Sequence, residues 1–210
     1  MGKRAVFYVD GFNLYHSIND LGSPHLKWFS IYSYAEFVTA SAGEALERVR
    51  YFSALATHRA PDSVNRHRSY LRALKRTGVE YVLGQFKNKP RSCFNCNSHW
   101  IAHEEKETDV NIAVQMIEDA IDQLMEVCYI VSADTDLAPA IRLVKRKFSH
   151  IEYVCVAPPG RRHPSELLAI ADRKMQISRN ALELNRLPNQ ISDAAGKLVC
   201  PPEWMPPAKP

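Results

Sequence analysis

Hydrophobic and polar positions follow two rhythms along this chain. Short runs rich in β-branched and aromatic residues fall at Ala5 to Val9, Val49 to Leu55, Tyr81 to Phe86, Val127 to Ser132 and Ile151 to Ala157, and each predicts a strand. Between them the spacing turns helical. Ser63 to Arg76 predicts a helix, with Asp62 at its start and Gly78 just past its end. Thr108 to Leu124 predicts the clearest one, because Val110, Ala113, Val114, Ile117, Ala120, Ile121 and Leu124 follow i, i+3, i+4, i+7 spacing and so define its expected core face. Two more are expected from Leu137 to Lys147 and from Ser165 to about Ala171. Strands that alternate with helices build a parallel sheet with crossover helices, the α/β class. From Leu187 onward the chain holds six of its 13 prolines, at 188, 201, 202, 206, 207 and 210, which predicts an extended tail without regular structure.

Composition narrows the picture. With 210 residues and 46% hydrophobic residues the chain can bury a full core in one domain, expected over residues 1–186, with the tail over 187–210. Five cysteines is an odd number, and Ala5 to Val9 is too short for a signal-peptide core or a membrane span. The expectation is a reduced, cytoplasmic protein with no membrane partner, in which a homodimer or a protein partner engaged through the tail is open. Net charge is +4, and its distribution says more than the sum. Arg59 to Arg91 carries nine basic residues against two acidic ones, Glu104 to Glu126 carries eight acids against Lys106, and Arg142 to Lys174 is basic again. Each block alone reads equally as a solvated helix face. Together, two basic blocks around an acidic one suit a polyanion held at its edges and processed at the centre.

The chemistry concentrates at strand ends. The first strand runs into Asp10-Gly11-Phe12-Asn13, and the fourth into Ser132-Ala133-Asp134-Thr135-Asp136. In an open parallel sheet the carboxyl ends of the strands share one edge, and ligands bind in the crevice there. Gly11 is expected to allow a tight turn that aims Asn13 back toward Asp10. A lone Asp after a strand reads more often as a helix cap, and Asp109 reads as a first-turn acid favouring the helix dipole. Four carboxylates crowded together instead require protons or cations, and hard oxygen ligands select Mg²⁺ or Mn²⁺. Such centres handle phosphates. The chain has no G-x-x-x-x-G-K-[ST] loop, no G-x-G-x-x-G fingerprint and no G-x-S-x-G elbow, which argues against nucleoside-triphosphate hydrolysis, dinucleotide binding and serine-nucleophile chemistry.

Three ordered segments, Tyr8-Val9-Asp10-Gly11-Phe12-Asn13-Leu14, Glu105-Lys106-Glu107-Thr108-Asp109-Val110-Asn111 and Ser132-Ala133-Asp134-Thr135-Asp136-Leu137, resemble the acidic motifs of NYN domains, a branch of the PIN-like ribonuclease superfamily. The resemblance spans about residues 4 to 175. It implies a three-layer α/β/α fold with a central parallel sheet in order 3-2-1-4-5, and metal-dependent cleavage of single-stranded or structured RNA. It also implies that Asp10, Asp109, Asp134 and Asp136 hold Mg²⁺ or Mn²⁺ and that Asn13 orients Asp10 or a water. Ala133 stands where relatives often carry Gly. A non-catalytic RNA-binding or regulatory module and a DNA-directed flap-type nuclease are the alternative readings.

Between the third strand and the acidic helix lies Cys93-x-x-Cys96-x-x-His99-x-x-x-His103. Two thiolates and one or two imidazoles within this stretch, 93–103, can wrap a structural Zn²⁺. A redox C-x-x-C or a loop without metal are the competing readings. Some bacterial NYN proteins are similar here, which favours His103 over His99 as a ligand. Candidate phosphate contacts are Arg59, Arg66, Arg68 and Lys87 on one side and Arg142, Lys145, Arg161 and Arg162 on the other, with the Arg161-Arg162 loop favoured because it follows the fifth strand. Tyr15, His16, Trp28 and Trp100 are candidates to stack on bases, although core packing is the commoner use of such rings.

Overall fold

The computed structural model describes residues 2–194 and 196–207. Its strands are β1 (Arg4–Asp10), β2 (Ala45–Ala54), β3 (Glu80–Ser92), β4 (His99–Lys106), β5 (Val127–Val131), β6 (Glu152–Ala157), β7 (Arg173–Gln176), β8 (Gln190–Asp193) and β9 (Gly196–Val199). Its helices are α1 (Gly11–Asp20), α2 (Ile31–Ala42), α3 (Pro61–Arg76), α4 (Thr108–Ile121), α5 (Ala138–Lys147), α6 (Ser165–Leu168) and α7 (Arg179–Leu184). A seven-stranded sheet runs in the order β4-β3-β2-β1-β5-β6-β7. Every neighbouring pair is parallel except β3 with β4. The five strands read from sequence are β1, β2, β3, β5 and β6, and they take the expected 3-2-1-4-5 order within it.

Burial explains their legibility. β1, β5 and β6 lie inside the sheet and are covered on both faces, so their sequences are continuous apolar runs and not alternations. Ala5, Phe7 and Val9 pack into one layer with α1, α2, α3 and α7, while Val6 and Tyr8 pack into the other with α4, α5 and α6. This alternation along β1 creates the two cores of a three-layer α/β/α protein.

The structure corrects three expectations. The Cys/His insert is not all loop: residues 93–98, with both cysteines, form the turn of an antiparallel β3–β4 hairpin, and His99 and His103 lie on β4, paired with Ser92 and Asn88. The tail is not featureless either. β8 and β9 form a second hairpin, and Leu187, Leu198, Cys200 and Trp204 are buried in the α1, α2, α3 core. Apolar residues between the prolines supply the burial that a proline count does not register; of the six prolines only Pro210 lies outside the described residues. The core face of α4 is also rotated from its expected position. Ile112, Met116, Asp119 and Ala120 face the sheet, and Val110, Val114 and Ile121 are exposed.

Asp119 is the reason for that rotation. Arg50 on β2 donates from Nε and Nη2 to its two carboxylate oxygens at 3.0 and 2.8 Å, and the Tyr8 hydroxyl donates to Oδ2 at 2.6 Å. Both Arg50 and Asp119 are buried. A buried charge is tolerated when it is paired and fully hydrogen-bonded, and this network fixes α4 against β1 and β2. Asp109 lies ten residues toward the N-terminus of the same helix.

Candidate metal centre and its surroundings

β1 is flanked by β2 and β5, with Val9 level with Tyr51 on one side and Val131 on the other. Asp10 therefore leaves the sheet beside the turn that carries Asp134 and Asp136. Its Oδ1 accepts the Asn13 backbone N–H at 3.0 Å, so it does cap α1. Its Oδ2 accepts from the Asn13 side-chain amide and, at 2.9 Å, from the Ser132 hydroxyl. Asn13 Oδ1 in turn accepts the Ala133 N–H at 3.3 Å. The helix-cap and the active-edge readings of Asp10 thus hold together.

Gly11 serves differently from expectation. Its φ is not positive, and no left-handed turn requires glycine there. A Cβ at this position would instead meet the Tyr51 ring at 2.5 Å and the Phe52 carbonyl oxygen at 2.6 Å. Glycine lets the start of α1 sit directly under β2.

Asp134 leaves β5 in an Asx turn, its Oδ1 accepting the Asp136 N–H at 2.9 Å while its own N–H donates to Ser132 Oγ at 3.0 Å. Asp109 comes from the first turn of α4. The approach is unusual: Glu107, the residue before the helix, sits at φ 83, and the Glu105 carboxylate accepts from both the Thr108 N–H and the Thr108 hydroxyl. A non-glycine residue in the left-handed region costs energy and persists where the surroundings over-determine it. Gly84 on β3 makes the approach possible, since a Cβ there would meet the Lys106 carbonyl at 2.5 Å.

The outcome is a trio. Asp109, Asp134 and Asp136 each offer a carboxylate oxygen within 4.8 Å of the others. Among the described residues no other group of three His, Cys, Asp or Glu side chains is placed to share an ion. Asp10 is not within this group: it is 3% exposed behind the trio, with its oxygens engaged by Asn13 and Ser132. Burial pushes its carboxyl above the ordinary range, and the charge of Asp134 adds to this against the hydrogen bonds. Burial likewise pushes Asp109 up to about 6, followed by the charges of Asp10, Asp134, Glu105 and Asp136. Hard oxygen donors that repel one another fit a hard divalent cation and do not fit a soft ion.

The insert does not assemble the four-ligand zinc set. Cys93 and Cys96 sit at the hairpin tip, where Cys96 Sγ contacts Ser98 Oγ at 3.1 Å. His99 begins β4, and His103 lies further along it, its ring stacked on His58 with centroids 3.9 Å apart. A strand holds successive residues about 3.3 Å apart along its axis, so extension of β4 carries His103 away from the thiols.

Several basic candidates are already occupied. Arg161 pairs with Asp20 at the far end of α1, Lys145 with Asp172, Arg142 with Glu166 and Arg66 with Glu203. Arg59 lines a cavity beside α1, and Arg162 is exposed on the loop after β6. Of the ring candidates, Trp28 is fully buried with its Nε1 donating to the Pro188 carbonyl, whereas Tyr15 and Trp100 are exposed. Ser132 and Glu105 escaped the sequence reading as site residues. Ser132 occurs inside a quoted motif, and Glu105 stands four residues before Asp109, but their partners are visible only in three dimensions.

A mostly parallel central sheet between two helical layers, with three carboxylates at its C-terminal edge, matches the three-layer architecture of PIN-like nuclease folds. The chain belongs to the NYN domain family, whose model matches residues 4–178. It is 29% identical over 227 aligned positions, covering 90% of this chain and 71% of the relative, to 6-hydroxy-3-succinoylpyridine 3-monooxygenase HspA of Pseudomonas putida (strain DSM 28022 / S16). In fold it is similar to a protein of unknown function, VPA0982, from Vibrio parahaemolyticus RIMD 2210633. That match has a TM-score of 0.57 at 17% identity, covering 85% of this chain and 95% of the other. No helix among the described residues is long and apolar enough to cross a membrane.

Proposed function

We propose that the chain is a Mg²⁺- or Mn²⁺-dependent endoribonuclease acting on single-stranded or structured RNA. The observation that carries this reading is the Asp109, Asp134 and Asp136 trio at the ligand-binding edge of an NYN fold. These three side chains would hold the ion, which when bound makes water a better nucleophile and offsets the charge on a phosphodiester. Asp10 is the group behind them. With Asn13 and Ser132 it ties the end of β1 to the turn after β5, so that Asp134 and Asp136 keep their orientation. Arg59 and Arg162 are the cations we assign to backbone phosphates, because Arg161 and Lys145 are engaged by carboxylates. The hairpin of β3 and β4, cross-linked by Lys89 and Arg91 on Glu104, is the surface we assign to flanking RNA.

One observation favours a second reading. The relative from Pseudomonas putida is named as a monooxygenase of a pyridine, and an aromatic cavity is lined by Gly11 and Phe12, the residues that follow Asp10. Turnover of a small heteroaromatic compound at this centre is therefore the rival. A single assay separates the two: purified protein is incubated with single-stranded RNA, single-stranded DNA or, in air with a reduced nicotinamide as two-electron donor, a hydroxypyridine, each in Mn²⁺ or in EDTA. Mn²⁺-dependent shortening of RNA that is lost in Asp134→Asn supports the nuclease. Consumption of the hydroxypyridine with RNA left intact overturns it.

A further inference from the structure

The cavity is bounded by α1, the end of β2 and α3, and has a volume of about 90 Å³. One water needs roughly 10–15 Å³ by this kind of measure, so the space admits a single planar heterocycle and not a base pair. Its walls include the rings of Phe12, His16, Tyr51, Tyr70, Phe86 and Trp204. Aromatic walls suit a flat π-system as the occupant.

Ser53 and His67 are among the polar side chains of the lining, which also include Ser63 and Arg66. Ser53 is 2% exposed, and its hydroxyl approaches His67 Nε2 only to 3.4 Å, longer than a normal hydrogen bond from a hydroxyl. A hydroxyl can both donate and accept, and an imidazole has a second ring nitrogen, so this contact does not exhaust the hydrogen-bonding capacity of either group. Burial lowers His67 to about 4, so the imidazole is neutral at physiological pH and presents one donor and one acceptor. Such a pair reads the edge of a ring bearing nitrogens and exocyclic oxygen or amino groups. Lys27 and Arg59, also lining the cavity, add positive charge suited to a phosphate.

Position connects this cavity to Asp10, whose charge also acts on Tyr51 in its wall. Gly11 and Phe12 line it, and Gly11 directly follows Asp10. From Phe12 a series of rings continues outward. Phe12 meets Phe86 at 5.8 Å, Phe86 meets His58 at 4.8 Å, and His58 stacks on His103 at 3.9 Å. Single-stranded nucleic acids are held by such successive ring contacts.

We propose that this cavity is a nucleobase subsite: it takes one unpaired base of the RNA, read on its edge by Ser53 and His67, and thereby sets that nucleotide's phosphate against the acidic trio. This rests on the ribonuclease reading and adds to it a determinant of where cleavage falls. The ligand chemistry, a planar nitrogen heterocycle, could also be supplied by a free small molecule, and the test separates the two sources.

The experiment is ligand-observed NMR on the full chain in EDTA with four 5′-mononucleotides, ribose 5-phosphate and 2-hydroxypyridine. Ala56→Phe, which narrows the cavity from its rim, and His67→Ala are compared with the natural protein, with thermal unfolding as the control for folding. At least one mononucleotide is expected to bind through its base protons, and each folded variant is expected to weaken it about tenfold, in line with the loss of a stacking or edge contact. Ribose 5-phosphate binding as well as the nucleotides, 2-hydroxypyridine binding where no nucleotide does, or no binding of any probe to the natural protein would each overturn the subsite. Because no divalent ion is present, this measurement is independent of cleavage. A protein that cleaves RNA but binds no base refutes the subsite alone, and one that binds a base but cleaves nothing refutes the nuclease alone.

Discussion

The Ser132 hydroxyl donates to Asp10 Oδ2 across 2.9 Å while accepting the Asp134 N–H at 3.0 Å. One oxygen atom thus joins two acids 124 positions apart in sequence. Asp10 is held behind the trio, and Asp134 is held at its front, by the same side chain.

Removal of this link should therefore act on the site and not on the fold. Ser132→Ala is expected to lower Mn²⁺ affinity or Mn²⁺-dependent RNA cleavage by about 10- to 100-fold, the usual effect of losing a partner that orients a ligand. Isothermal titration with Mn²⁺ and a cleavage time course check this, with circular dichroism showing an unchanged fold.

The Asp119 network should be structural. Asp119→Ala leaves the Arg50 guanidinium buried without its bidentate partner, and loss of one member of a buried pair costs about 3 to 5 kcal/mol. Urea unfolding of the variant measures it. A change under 1 kcal/mol, by contrast with about 3 to 5, would mean that water and the existing 2.7 Å bond from Arg50 Nη1 to Glu80 suffice for the charge.

The C-terminal segment should contribute to the core of the domain. Trp204 is 6% exposed and packs on Trp28 and Tyr70, with ring centroids 6.2 Å apart in both cases. Trp204→Ala is expected to cost about 3 to 5 kcal/mol in the same assay. Stability within 0.5 kcal/mol of the natural protein, well short of about 3, would show this segment to be dispensable.

His67 should make the protein less stable in acid. The unfolded chain takes up its proton near the ordinary value of 6.5 and the folded protein only near 4, so the unfolded state binds more protons between these values. Stability is fully present above pH 6.5 and falls as the pH drops toward 4, by on the order of 3 kcal/mol for a shift of this size. Asp10 and Asp109, whose carboxyls are raised, act in the opposite sense over part of this window. The expected observation is accordingly a difference. The pH profile of His67→Gln should be flatter between pH 6.5 and 4 than that of the natural protein, measured by chemical denaturation at each pH.

Much of the fold and part of the site were legible in the sequence. Central parallel strands announce themselves because both faces are covered, and Phe7, Ile130 and Val154 all belong to unbroken apolar runs. β4 and β7 did not, since edge strands carry polar residues such as His103 and Lys174 that also suit loops. The acids of the trio were readable from strand ends and the first turn of a helix, as were Asp10 and Asn13. What could not be read was the exchange between sequence and packing on α4. Periodicity assigned Val110 and Val114 to the core, but the partner that lets Asp119 take the inner face lies 69 positions away on β2. Similarly, Gly11 looks like a turn residue until the Tyr51 ring is seen above it.

The most direct test of the centre is an anomalous difference map from crystals of the protein soaked in Mn²⁺. The expected result is a peak within ligand distance of Asp109, Asp134 and Asp136, lost in Asp136→Asn crystals treated alike. A map with no peak among these three carboxylates at saturating Mn²⁺, in crystals of protein that retains its fold, would contradict the assignment of this edge of the sheet as a metal centre.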